Sequence, residues 1–135
     1  MVKLVVNSDL CTGCLNCQTV CALVHGGRQD RSASSIRVEL EIFTGLNTIT
    51  YCRQCEDPEC RNACPVGAIQ RDESTGAWKI DYDICIKCGE CITACSYGAM
   101  FLKEEIPLKC DLCNGEPACV EACAFNAITI GTYER

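Results

Sequence analysis

The chain has 135 residues, with 12 lysines and arginines against 18 aspartates and glutamates, a net charge of −6, and sixteen cysteines. An acidic balance without a basic stripe excludes a nucleic-acid partner, whose phosphates demand a positive face. A cysteine content this high excludes an ordinary globular chain and leaves a disulfide scaffold or a metal protein.

The start, MVKLVVNSDL, has too short an apolar stretch and no small-residue cleavage site for a secretory signal. No run reaches the roughly 18 apolar residues of a membrane span. The chain is therefore expected to be cytoplasmic, where thiols stay reduced unless a metal takes them.

In chain order, KLVV (3–6) predicts a short strand. CTGCLNCQTVC then sets Cys11, Cys14, Cys17 and Cys21 in the spacing C-x2-C-x2-C-x3-C. Residues 25–51 are the longest stretch without cysteine. HGGRQDRSAS is polar and reads as a loop, SIRVELEIF alternates strictly, and NTITY follows Gly45, so a β-hairpin is expected. CRQCEDPECRNACP brings Cys52, Cys55, Cys60 and Cys64, followed by VGAIQRDESTGAWKIDYDI, two strand patterns around the turn DESTG. CIKCGECITAC holds Cys85, Cys88, Cys91 and Cys95. Only SYGAMFLKEEIPLK separates it from CDLCNGEPACVEAC, with Cys110, Cys113, Cys119 and Cys123. Pro107 is expected to end any strand in that linker, which leaves little room for another hairpin. AITI (127–130) is the closing strand.

These are repeats. The four sets use every cysteine, and three of them run into the phrases PVGAIQ, SYGAMF and AFNAIT, each a small turn before an apolar strand. Asp9 and Asp83 precede their motifs at one offset. The unit reads as strand, loop of three cysteines, short helix, strand. The third and fourth cysteines stand at i and i+4, one helical turn apart, so the fourth tends toward a different centre.

Three cysteines on a tight loop suit three irons of a cube. In the bacterial two-cluster spacing C-x2-C-x2-C-x3-C-P the fourth cysteine serves the other cluster. Motifs 1 and 3 share the spacing but carry Ala22 and Ser96 for the proline. Motif 2 keeps Pro65, and motifs 2 and 4 widen the gap before the third cysteine. Zinc sites, built from two separated C-x2-C pairs, and disulfides are the competing readings. Sixteen thiolates over four 4Fe–4S clusters leave no open iron, which favours electron transfer over catalysis. The hairpin between motifs 2 and 3 reads as the interior of one ferredoxin unit, so the outer motifs are left to pair with each other, with 3–6 against 127–130.

With its four motifs in order and the widened gaps CRQCEDPEC and CDLCNGEPAC, the chain resembles the polyferredoxin electron-transfer subunits of molybdenum and tungsten bis-pterin oxidoreductases. That group includes the iron–sulfur subunits of dimethyl sulfoxide reductase and formate dehydrogenase type. In size and style the chain is most similar to the small subunit of tungsten aldehyde oxidoreductases. The resemblance implies an α+β fold in one domain over 1–135. An inner ferredoxin unit (52–104) is inserted into an outer one (1–24 and 105–135), with a hairpin insertion at 25–51. It implies four 4Fe–4S clusters. Cluster A takes Cys11, Cys14, Cys17 and Cys123. Cluster B takes Cys110, Cys113, Cys119 and Cys21. Cluster C takes Cys52, Cys55, Cys60 and Cys95. Cluster D takes Cys85, Cys88, Cys91 and Cys64. The implied role is a non-catalytic relay between a large tungsten or molybdenum subunit and a redox partner, with a flavin subunit or further copies of the chain as other neighbours. A free polyferredoxin, or a subunit of a carbon monoxide dehydrogenase or hydrogenase, is the alternative.

Lys87 and Arg53, inside C-x2-C loops, are candidates to tune a cluster or else solvated side chains, and Gly13 and Gly89 are candidate amide donors or turn formers. The 25–51 hairpin is a docking surface or a structural cap. His25, the sole histidine, reads as a loop residue, Trp78 and Tyr82 as packing, and Glu104 and Glu105 as an exposed strand end. No nucleophile–base pair or nucleotide fingerprint is visible.

Overall fold

The computed structural model describes residues 2–27 and 29–132. β1 (Val2–Val6) and β8 (Ile128–Thr132), the first and last strands, pair antiparallel with Leu4 opposite Ile130. Between them lie three antiparallel hairpins: β2 (Arg37–Glu39) with β3 (Thr48–Thr50), β4 (Ile69–Arg71) with β5 (Trp78–Ile80), and β6 (Phe101–Lys103) with β7 (Ile106–Leu108). The helices are α1 (Asn16–Gly26), α2 (Glu59–Ala63), α3 (Glu90–Ala94) and α4 (Ala118–Ala122). The result is a small α+β arrangement of short sheets and few helices.

Local chemistry sets the helix ends. Pro58 and Pro117 stand at the N-caps of α2 and α4 with φ of −72° and −61°, the angle their rings impose. Leu15 and Gly89 precede α1 and α3 in the left-handed region. Three helices stop at the fourth cysteine of their motif. α1 runs on through ALVHG and ends where Gly27, at φ 68°, donates its N–H to Leu23 O at 2.9 Å, a left-handed cap.

Packing divides into two cores. One gathers Leu4, Ile36, Ile49, Leu112 and Ile128 with Cys17, Cys21 and Cys119; the other holds Ile69, Trp78 and Met100 with Cys60 and Cys91. α1 packs on α4 and α2 on α3. Leu112 is completely buried, so Leu112→Ala is expected to cost about 2–5 kcal/mol. A lower urea midpoint, measured anaerobically, checks it.

The terminal strands and the hairpins at 37–50 and 69–80 lie where expected, though β2 is only three residues of the alternating run. Five expectations are corrected. The linker at 96–109 does hold a hairpin. Glu104 and Glu105 form its two-residue turn with φ of 50° and 69°, the both-positive pattern of a type I′ turn, and are not a strand end. Pro107 sits within β7 opposite Leu102. In an antiparallel ladder every second pair exchanges no hydrogen bond, so its missing N–H is tolerated. His25 lies on α1 rather than in a loop, because no turn phrase follows Cys21. Tyr82 is 52 % exposed and so lies outside the cores; its hydroxyl donates to Pro107 O at 2.8 Å. Trp78 is buried as expected, its indole N–H donating to Cys55 O at 2.9 Å.

The 25–51 insertion is tied to β6. Lys103 Nζ contacts the Asp30 carboxylate and, at 2.6 Å, Ser32 Oγ. The Arg37 guanidinium lies 4.4 Å from the centre of the Phe101 ring.

Candidate metal centres

Each cysteine loop is bent at the same place. The second residue after the first cysteine has a positive φ in all four motifs: Gly13 (79°), Gln54 (47°), Lys87 (59°) and Leu112 (57°). Only one of these is glycine. The left-handed turn folds successive N–H groups toward the concave side, an arrangement that cradles anionic centres. Lys87 N–H donates to Cys85 Sγ and Leu112 N–H to Cys110 Sγ, each at 3.4 Å. At Gly13 a side chain would also meet Leu40 Cδ2 at 2.9 Å.

The fourth cysteines have their own cradle, built by the repeated phrase. Gly67, Gly98 and Asn126 take φ of 66°, 63° and 57°, and the alanines that follow, Ala68, Ala99 and Ala127, are buried. Ala68 N–H donates to Cys64 Sγ at 3.3 Å and Ala99 N–H to Cys95 Sγ at 3.4 Å. Burial opposes ionisation of Cys64 and Cys123, yet these backbone N–H groups outweigh it and lower both pKa values. Gly98→Val puts a β-branched residue in the left-handed region at about 1–2 kcal/mol. It is expected to reduce iron retention after reconstitution, measured as iron per chain.

Cys21 lacks that phrase and is served otherwise. Ser35 N–H donates to its sulfur at 3.3 Å, and His25 Nδ1 lies 3.8 Å away while bonding Cys21 O at 2.9 Å. Burial opposes ionisation of Cys21, and the His25, Ser35 and Ser34 hydrogen bonds reverse it. His25 Nε2 also pairs with Asp111 at 2.9 Å. Hydrogen bonds to Asp111, Cys113 and Cys21 raise the His25 pKa well above the ordinary histidine range.

Chain topology brings three cysteines of one motif to the fourth of another. A cavity of about 210 Å³ is lined by Cys52, Cys55, Cys60 and Cys95. A second pocket lies among Cys85, Cys88, Cys91 and Cys64, and a third among Cys110, Cys113, Cys119 and Cys21. Cys17 feels the charges of Cys11, Cys14 and Cys123; with burial first, they push its thiol up to about 11. Burial, with Cys113, Cys21 and Cys17 beside it, pushes Cys119 up to about 12, and burial with Cys52 raises Cys110 further. Such crowded thiols become thiolates when a metal neutralises them. The all-sulfur donor sets fit an iron–sulfur cluster, a soft-ligand site. Among the described residues, His25 and Asp111 come together with Cys113 as a mixed set of nitrogen, oxygen and sulfur ligands.

Cys14 and Cys88 are exposed, while Cys17, Cys21, Cys60, Cys91 and Cys119 are buried. Of the sequence candidates for tuning, Lys87 is exposed, and Arg53, also exposed, is stacked between the Tyr51 and Tyr97 rings at the rim of the cavity of Cys52, Cys55, Cys60 and Cys95. Two residues that sequence reading passed over lie inside. Gln54 is 1 % exposed; its Nε2 donates to Cys110 O at 2.8 Å and its Oε1 accepts from Trp78 N–H at 2.8 Å. Lys109 is 7 % exposed, with Nζ 3.0 Å from Cys52 Sγ. Burial works against its charge, but Cys52, Cys60 and Cys110 outweigh it and raise its pKa. The one sequence signal for Lys109 is its place directly before Cys110.

Comparison with known proteins gives consistent matches. The family described as "4Fe-4S dicluster domain" matches residues 44–133. The chain is 42 % identical to the polyferredoxin-like subunit of aliphatic sulfonate oxidoreductase of Pyrococcus furiosus, covering 90 % of this chain and 71 % of the relative. It is 34 % identical to the electron transport protein HydN of Escherichia coli, covering 93 % of this chain and 85 % of that one. Among solved structures, the active site complex BamBC of benzoyl coenzyme A reductase contains a similar chain. The TM-score is 0.61, the identity 21 %, and the match covers all of this chain and 78 % of the other, which speaks for the fold alone.

Proposed function

We propose, from the premise that this chain belongs to the 4Fe–4S dicluster family of ferredoxin-type proteins, that it is a non-catalytic electron-transfer subunit with four 4Fe–4S clusters. The observation that carries this reading is the three-plus-one grouping of the cysteines, which uses all sixteen. The proposed ligand sets are Cys11, Cys14, Cys17 with Cys123; Cys110, Cys113, Cys119 with Cys21; Cys52, Cys55, Cys60 with Cys95; and Cys85, Cys88, Cys91 with Cys64. The nested pairing of β1 with β8 around β4–β5 supports an inner unit (52–104) inserted into an outer one (1–24 and 105–135). The β6–β7 hairpin spans the seam, and the insertion at 25–51 caps the outer unit.

When bound, the clusters supply one-electron uptake and release at potentials set by their surroundings. The residues do the rest. The left-handed loops present N–H groups to sulfur, and Ala68, Ala99 and Ser35 hold the fourth cysteines in place. The exposed Cys14 and Cys88 mark two ends, and the groups joined by Lys109 and Gln54 form the middle. Partners would therefore dock at the Cys14 edge and the Cys88 edge.

The partner is proposed to be a large tungsten- or molybdenum-dependent subunit in a cytoplasmic complex. The similarity to a subunit of a sulfonate oxidoreductase supports the subunit role over a free carrier. Anaerobic purification from the native source with metal and sulfide analysis tests this. Stoichiometric iron and sulfide with a co-purifying tungsten or molybdenum protein is the expected result. Iron and sulfide without a partner would favour a free carrier, and zinc without sulfide would overturn the assignment.

A further inference from the structure

Lys109 is unusual among the lysines whose partners are seen. Lys79 pairs with Asp72 and Lys103 with Asp30, both near the surface. Lys109 is buried, and among the described residues no carboxylate pairs with it; its hydrogen bond goes to Cys52 Sγ. It lines the cavity of Cys52, Cys55, Cys60 and Cys95. Its backbone leads directly into Cys110, of the neighbouring group, whose carbonyl is held by Gln54.

A buried ammonium without a counter-ion is costly unless an anionic group is built beside it. A cluster held by four thiolates is such a group. It becomes more negative by one charge when it accepts one electron from an external reductant. A fixed positive charge at hydrogen-bond distance from one ligand sulfur therefore favours the reduced state over the oxidised one. Lys109 is fixed by burial between two cysteine groups, so its charge bears on the join between the inner and outer units rather than on an exposed end.

We propose that Lys109 is a positioning residue for electron transfer, its ammonium raising the reduction potential of the centre held by Cys52, Cys55, Cys60 and Cys95 above that of its neighbours. This rests on the ligand set proposed above for those cysteines. Arg53 also lines that cavity, but it is exposed and stacked on the Tyr51 and Tyr97 rings, and Lys87 is exposed, so water and salt screen both charges where burial leaves that of Lys109 unscreened.

The test uses the whole anaerobically prepared chain, with iron and sulfide counted first, followed by a redox titration monitored by electron paramagnetic resonance. Lys109→Gln, Lys109→Met and Lys109→Arg are compared with the parent. In the two neutral variants, one centre is expected to titrate lower. Its reduced-to-oxidised ratio at the parent midpoint should fall at least tenfold, a shift of about 59 mV for a one-electron couple. Lys109→Arg should keep the parent midpoint. Full iron content with unchanged midpoints in both neutral variants would overturn the inference, as would an arginine variant shifted as far as they are. A parent chain without iron and sulfide would overturn the ligand assignment, and this inference with it.

Discussion

Stripping the iron with a chelator is expected to unfold the chain rather than leave an open scaffold. Among the described residues, three of the four α-helices have five residues and six of the eight strands have three. Isolated helices that short do not persist in water, and two-stranded ladders are marginal. Both cores count cysteines among their buried members, so removing the metal removes core contacts and leaves crowded thiols. Metal binding energy is then folding energy. Far-ultraviolet circular dichroism should lose its helical and strand signal, and limited proteolysis should cut throughout. A chelated chain that still melts cooperatively would show that the apolar cores suffice.

Cys21→Ala and Cys113→Ala are expected to lose the same centre, although the two residues belong to the first and last motifs. Cys14→Ala should lose a different one. Under the proposed ligand sets, each of the first two removes a sulfur from the group of Cys110, Cys113, Cys119 and Cys21. Each should drop iron by about four per chain, the content of one 4Fe–4S cluster, with weaker changes in the neighbour sharing α1 and α4. Matching difference spectra are the readout. If Cys21→Ala instead matched Cys14→Ala, each motif would serve its own cluster and the exchange of fourth cysteines would be wrong.

Much of the arrangement was legible before any coordinates, because cysteine spacing is a rigid constraint. The strands at 3–6 and 127–130 and the hairpins around DESTG and after Gly45 follow from period-two patterns and turn residues. What stayed hidden turns on backbone conformations that residue type does not announce. Glu104 and Glu105 are poor candidates for a both-positive turn, and Pro107 looked like a stop until its non-bonded register was seen. Gln54, Lys87 and Leu112 adopt at their loops what only Gly13 advertises. Lys109 was missed for a different reason. A lysine next to a cysteine reads as surface, and only the folding of motif 4 against motif 2 turns it inward. Lys87 and Arg53 stood inside motifs and drew notice for that alone.

The pairing of β1 with β8 also has a temporal side. A ribosome delivers Val2–Val6 well before Ile128–Thr132, so β1 waits until every element between the two has emerged before its partner exists. Between those events Ile69–Arg71 and Trp78–Ile80 emerge close together and meet at once, as local contacts form faster than distant ones. Strands thus pair from the middle outward. Of the sixteen cysteines, Cys11, Cys14 and Cys17 leave the tunnel first, and under the proposed ligand sets they wait longest for their fourth ligand, Cys123. For a nascent molecule that interval is its period of greatest exposure to oxidants and stray metals. A truncation that ends before α4 would make it permanent.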